Sequence, residues 1–440
     1  MGRGRCNAAT ARADAVGLTE KARQQKKGLP VLGKTKTLGC PPGRPPVSIL
    51  SDLALARSAR QSGEHAAGLR ACERLLSRPQ GLPPLIEAEA RVLRTHYVPA
   101  AADLFPGLQA QQIEESLCED RPEGWTIFNP SCLIYGDELL VLVRSSNYHI
   151  VDGQYVVPQA DLPADGSMPW IKTRNLLLRY DLTTNELVPK GEAVQLYGPG
   201  YATRDEIHIT GLEDLRLRHR FWGFDGPSDG ITVSGTCLDT ASLPTAPNGS
   251  PMARIATATL LPDAGMLTDF ECLPEPFPGR YEKNWVPIES HKLGSWPVWL
   301  YSAWEDGRVA AVSRLGNKPG SLAWGVEATA PSPHALRHLR GRSQLIETHG
   351  GSRLIGIFGE AFDDGRRMYD HRFVEFTHDL HPLRWSPPFR FGPPRGVEFV
   401  AGLQRRHGTF IVSYGLRDEQ ALLATLPVAS VEATLTDIPR

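Results

Sequence analysis

The sequence predicts a mainly β protein, a five-bladed β-propeller preceded by a short N-terminal helical hairpin, and two observations lead there. From Trp125 onward, short apolar runs are separated by Gly, Pro and Asp turns, with almost no helical period. Six polar clusters each sit beside such a run: Phe128-Asn129-Pro130-Ser131 with Arg144, Gly211-Leu212-Glu213-Asp214-Leu215-Arg216, Glu282-Lys283-Asn284-Trp285, Arg340-Gly341-Arg342-Ser343-Gln344, Val397-Glu398-Phe399, and Ser413-Tyr414-Gly415-Leu416-Arg417-Asp418. A propeller builds its site this way, each blade sending one or two polar residues to a central funnel. A sandwich or a β-helix satisfies the strand pattern equally well.

Residues 1–46 form a basic segment rich in Gly and Pro, with Asp14 and Glu20 as its acidic residues. It carries too little apolar surface to offset its ordering entropy, so disorder is expected. A helical segment follows over 47–108. Leu50, Leu53, Leu55 and Ala56, then Ala67, Leu69, Ala71, Leu75 and Leu76, then Leu85, Ala88, Val92 and Leu93 recur at helical spacing, and Pro79, Pro83 and Pro84 break the last two runs apart. This reads as a hairpin or one tetratricopeptide-like unit, which cannot bury its own faces and must pack against something larger.

The propeller is expected over 120–436. Cys132-Leu133-Ile134-Tyr135, a Gly136-Asp137 turn and Leu139-Leu140-Val141-Leu142-Val143 form its first hairpin. The same grammar returns at Leu176-Leu177-Leu178, Phe221-Trp222-Gly223-Phe224, Ala253–Ala258, Val298–Tyr301, Leu354–Phe358, Phe373–Phe376 and Phe410–Ser413.

A net charge of -1 gives the whole molecule no long-range pull on nucleic acid or anionic membranes, so any anion recognition must be local. Seven scattered cysteines without a CxxC pair argue against a zinc site or a disulfide framework and fit a reducing cytoplasm. No secretory h-region and no run near 18 apolar residues is present. No metal and no cofactor are expected. Gly198-Pro199-Gly200 and Asn248-Gly249-Ser250 read as turns rather than as a phosphate loop or a glycosylation acceptor.

In Glu213-Asp214 a strand would send one carboxylate to the funnel and the other to blade packing. An acid serving a glycosidic oxygen needs a raised pKa and a partly dry site; the plainer reading is a turn with an ion pair to Arg216. Arg144, Lys283, Arg340 and Arg342 suit a phosphate or carboxylate clamp, or else are solvated strand-edge cations. Asn129, Asn284, Gln344 and Asp418 can bind sugar hydroxyls, while Trp125, Trp285 and Tyr414 can stack on a pyranose or fill a core.

Taken in order, these clusters resemble the mannoside phosphorylase family of five-bladed β-propellers, glycoside hydrolase family 130, and the related β-mannosyltransferases. The closest likeness is to a bacterial branch that accompanies glycosyltransferases and tetratricopeptide-like segments. The resemblance implies that Asp214 is the general acid, that Asn129, Arg144 and Asp418 hold the sugar, and that Lys283 and Arg216, joined by Arg342, face phosphate or a sugar-phosphate leaving group. It implies transfer or phosphorolytic cleavage of a β-mannosyl-type residue with inversion, on an oligosaccharide or sugar-phosphate substrate, in which phosphate itself is the nucleophile. Two departures stand out. Leu215 replaces the proline usual after the acidic pair, and Gly359 in Phe358-Gly359-Glu360 stands where relatives generally carry a histidine near phosphate. The alternatives are a non-catalytic glycan-binding propeller beside a glycosyltransferase, or an inverting hydrolase with Glu213, Glu360 or Asp418 as base.

Overall fold

A computed structural model of the chain describes residues 47–439 apart from 79, 120, 152–153, 163–170, 185, 198–208, 222–226, 238–252, 274–279, 281, 291–297, 315–323, 349–350, 363–367 and 394–395. The basic segment, most of Phe221-Trp222-Gly223-Phe224, and the Gly198-Pro199-Gly200 and Asn248-Gly249-Ser250 turns lie outside the described residues. Residues 47–440 form one compact unit that includes both the helices and the strands.

Three helices open that unit: α1 (Val47–Ser62), α2 (His65–Leu76) and α3 (Pro84–Thr95). The three runs of helical spacing read over 47–108 fall one on each of these helices, and Gly63, at φ 76°, turns the chain between α1 and α2. Pro84 starts α3, where a missing N–H costs nothing. The buried stripe is Ile49, Leu53, Ala56, Ala71, Cys72, Leu75, Leu76, Ala90, Leu93 and Tyr97, whereas Leu50, Leu55, Leu85 and Val92 are exposed. Helical spacing in a Leu- and Ala-rich segment fits two adjacent stripes, and the partner surface selects between them.

The rest is mainly β. One sheet runs through Thr126–Tyr135, Glu138–Ser146, Ile171–Asp181 and Val188–Pro189. A second runs through Leu212–Phe221, Pro227–Cys237, Arg254–Leu261 and Met266–Cys272. A ten-stranded sheet contains two antiparallel runs, led by Val286–Glu289 and Leu345–Glu347, which join through a parallel step at Ile288 and Leu345. The last sheet takes Glu398–Arg406, Thr409–Leu416 and Gln420–Pro427, and its fourth strand is Gln109–Gln112 from the front of the chain. The β region therefore begins near 109 rather than 120. Gln-Ala-Gln-Gln has no apolar alternation; backbone pairing with Gln420–Pro427 recruits it, and Gln111 Nε2 donates to the Leu187 carbonyl at 3.1 Å.

The hairpin at Gly136-Asp137 is present, with Tyr135 opposite Glu138 and Gly136 at φ 60°. Thr126–Tyr135 packs against both Leu212–Phe221 and Glu398–Arg406. Buried glutamines tie them together. Gln344 donates to the Cys132 carbonyl at 2.9 Å and accepts from the Leu403 N–H at 3.1 Å, and Gln404 accepts from the Ile134 N–H at 3.1 Å.

The helices dock on the sheet through a buried ion cluster. Arg94 of α3, 4% exposed, reaches Glu360 at 2.8 Å, Asp370 at 2.7 Å and Glu73 of α2 at 3.5 Å. Glu360 also takes Arg91 at 3.0 Å. Arg372 pairs with Glu73 and lies 4.1 Å over the Trp385 ring. Cys72, Cys118 and Cys132 are buried and form no disulfide among the described residues, and no described helix is long and apolar enough to cross a membrane.

Candidate active site

Left-handed backbone places the polar residues. Asn129, Asp214 and Asn284 have φ 47°, 52° and 62° and sit in or beside the leading strands of three successive strand groups. Asn and Asp tolerate this region better than other side chains. At Asn129 and Asp214 the strand bulges, with register shifts between Phe128 and Ser131 and between Glu213 and Arg216. The bulge overrides alternation, so Glu213 and Asp214 both reach Arg144 instead of dividing between funnel and packing.

Close neighbours of each bulge must be small. A Cβ on Gly235 would meet the Glu213 carbonyl at 2.9 Å, and one on Gly415 would meet Asn129 Oδ1 at 2.2 Å. Gly415→Ala is therefore expected to cost about 1–3 kcal/mol by overpacking, read by urea denaturation, and to push Asn129 off its partner.

Carboxylates and cations interlock here. Asn129 Nδ2 donates to Asp214 Oδ1 at 3.0 Å, and Arg144 Nη1 donates to the same oxygen at 3.2 Å. Arg144 Nη2 donates to Glu213 Oε1 at 3.1 Å, and Lys283 Nζ reaches Glu213 Oε2 at 3.1 Å. Arg144, 5% exposed, lies 5.0 Å from the centre of the Phe128 ring. Burial works to raise the Asp214 carboxyl, but Arg144, the Asn129 hydrogen bond, Lys283 and Arg216 outweigh it and hold the group below its ordinary value.

Asp418 approaches from the end of the chain, at φ 56°, and accepts a 3.0 Å hydrogen bond from the Tyr148 hydroxyl. Burial pushes this carboxyl up to about 6, with Arg144 acting downward, Asp214 upward, Tyr148 downward and Glu213 upward.

Two further guanidiniums lie beside this group. Arg216 and Arg342 are 2% and 4% exposed, and among the described residues neither has a carboxylate within ion-pair distance. Arg216 Nε donates to the Arg342 carbonyl at 2.7 Å, and its Nη2 donates to Asn284 Oδ1 at 3.3 Å. Their guanidiniums lie 5.5 and 5.1 Å from the Phe399 ring centre. Arg342 Nε is buried without a hydrogen-bond partner among the described residues. Burial pushes Arg216 down to about 10 although Asp214 acts upward, and Arg342 adds to the fall. Burial likewise lowers Arg342. Both are cations short of counter-charge. A Cβ on Gly359 would come 2.4 Å from Arg342 Nε, so Arg342 lies over the position where the resemblance leads one to look for a histidine.

Asp214, Asn129, Arg144, Asn284, Arg216, Lys283, Arg342 and Asp418 are thus brought together by direct contacts, shared partners or the Phe399 platform. Gln344 and Tyr414 are not. Both amide atoms of Gln344 are committed to backbone, and Tyr414, 2% exposed, stacks 4.3 Å from Phe391 in the core. Trp285 is buried with Ile255, Leu273, Trp299 and Val312 and donates Nε1–H to Glu282 at 2.9 Å. Glu360 faces the helices, paired with Arg91 and Arg94. Sequence reading missed Tyr148, whose only signal is its place four residues after Arg144. It also left Phe399 without a role, because a platform for two arginines from other sheets has no local signature.

No protein-family model and no curated protein matches the chain. Among solved structures it is similar to a β-1,2-mannobiose phosphorylase from Listeria innocua, with a TM-score of 0.42 and 15% identity over 74% of this chain and 99% of that one. It is also similar to a glycosyl hydrolase from Bacteroides ovatus, with a TM-score of 0.47 and 14% identity over 78% and 99% of the two chains. A third is a mannose phosphorylase from Leishmania mexicana in complex with phosphate ion, with a TM-score of 0.42 and 14% identity over 72% and 88%.

Proposed function

We propose that the strand groups are the blades of a five-bladed propeller, with the ten-stranded sheet counting as two, and that the chain is a carbohydrate-active enzyme. It transfers or phosphorolytically cleaves a β-mannosyl-type residue with inversion. The observation that carries this reading is the pair of buried guanidiniums, Arg216 and Arg342, left without a carboxylate among the described residues beside an acid cluster. A buried cation without counter-charge is costly unless an anion completes it. Planar guanidiniums fit phosphate bidentately.

Phosphate bound there attacks the anomeric carbon from one face, so one carboxyl acid is enough and no second carboxylate is needed to activate water. Asp214 is that acid, with Asn129, Arg144 and Asp418 around the sugar and Lys283 as a movable point charge, its side chain 34% exposed.

Calorimetry with inorganic phosphate tests the anion site. Arg342→Gln should remove about 1.5–3 kcal/mol of binding, roughly a ten- to hundredfold loss of affinity. Equal phosphate affinity in wild type and variant would sink the assignment. A sugar 1-phosphate release assay with manno-oligosaccharides then tests turnover.

One observation favours a second reading, a non-catalytic glycan-binding propeller: Asp214 is held ionised at rest, the opposite of what an acid needs. That reading expects wild-type protein to bind mannose-containing oligosaccharides and never turn them over.

A further inference from the structure

Carboxylates outnumber their paired cations around Arg144. Glu213 and Asp214 take its two terminal nitrogens, and Lys283 takes the other oxygen of Glu213. Asp418, 7% exposed, comes to the same place without an ion pair of its own among the described residues. Its direct side-chain partner is a neutral phenol, Tyr148, which is 3% exposed and held edge-on by Phe128 and Tyr155. A phenolic hydroxyl donates to a carboxylate and, by rotating, accepts from a carboxylic acid. The arrangement therefore serves both protonation states.

We propose, on the functional reading above, that Asp214 and Asp418 share the uptake of one proton, that Asp418 takes it in preference to Asp214, and that Tyr148 is the positioning residue that orients the Asp418 carboxyl and limits how tightly it holds the proton. Groups facing Asp418 are Arg144 and Tyr148 from one sheet and Glu213 and Asp214 from the next. Their environments push the two carboxyls apart, Asp418 upward and Asp214 downward, the pattern that separates acid from base within one site. The two titration steps belong to the pair.

In the reaction the Asp418 proton passes through bound water or a substrate hydroxyl to Asp214, and from Asp214 to the departing glycosidic oxygen. The anomeric C–O bond breaks as an oxygen of HPO4(2-) forms the new one. The proton of that phosphate then returns through water to Asp418. Charge and protons balance, and no other reactant is required.

Selective carbon-13 labelling of aspartate carboxyls, followed by NMR titration of the ligand-free protein, tests the resting state without needing activity. The Asp418 signal is identified by its loss in Asp418→Glu and, independently, in Asp418→Asn. It is expected to titrate near 6 in wild type and higher in Tyr148→Phe, because the lost hydrogen bond favoured the ionised form. A midpoint at or below the ordinary aspartate value near 4, or one that Tyr148→Phe leaves unmoved, overturns the proposal. Turnover separates the two readings. A high Asp418 midpoint with no turnover on any mannoside upholds the shared proton and removes the enzyme, whereas turnover with a low midpoint keeps the enzyme and removes the shared proton. Where turnover is seen, its alkaline limb should follow the Asp418 midpoint and shift upward with it in Tyr148→Phe.

Discussion

Asp214→Asn is expected to lower turnover about 10²–10⁴-fold, the usual contribution of a positioned acid, while sugar binding is kept. The amide retains an acceptor for Asn129 and Arg144 at the position of Oδ1, so geometry survives and only proton transfer is lost. Steady-state release of sugar 1-phosphate measures the first effect, and calorimetry with a manno-oligosaccharide the second. Turnover within a few-fold of wild type would remove Asp214 from the chemistry. A parallel loss of sugar binding would recast it as a structural anchor for Arg144.

Arg94→Met should destabilise the protein by about 3–5 kcal/mol, the cost of leaving buried charges uncompensated. Glu360 and Asp370, 4% and 1% exposed, lose the guanidinium that both contact directly. Methionine fills much of the volume, which keeps the cavity contribution small. Urea denaturation gives the magnitude, and its pH dependence gives the cause. In wild type, burial raises Glu360 but Arg94 and Arg91 overcome it, so its folded value lies below the unfolded one. Its stabilisation is present above the ordinary carboxylate range and is lost as pH falls through the folded value. Without Arg94 the largest charge holding Glu360 low is gone, so the loss of stability as pH falls through that range should be smaller in the variant than in wild type. A variant that loses less than about 1 kcal/mol would mean that Arg91 and Arg372 suffice to hold the helices.

Local signals made much of this legible. Turn residues and apolar runs placed the strands, as at Gly136-Asp137, because turn chemistry and strand alternation are local properties. Polar clusters beside those runs named the residues around Arg144. The fates of Gln344 and Tyr414 were not legible. A glutamine that bridges Cys132 and Leu403 is chemically the same as one that binds a sugar hydroxyl, and only the position of neighbouring strands separates the two. The exposed Leu50 and Leu85 make the same point for apolar residues.

The sequence by itself determined that the chain is mainly β, where its turns fall, and which Asn, Asp, Arg and Lys residues were available for chemistry, since periodicity, turn preference and side-chain type are written residue by residue. Tertiary structure decided the rest: that Gln109–Gln112 completes the last sheet, that bulges at Asn129 and Asp214 set both acids on Arg144, and that Arg216 and Arg342 share the Phe399 ring. Those outcomes depend on distances and charge balance between segments far apart in the chain. No local pattern encodes them, because burial and counter-charge exist only once the sheets have met.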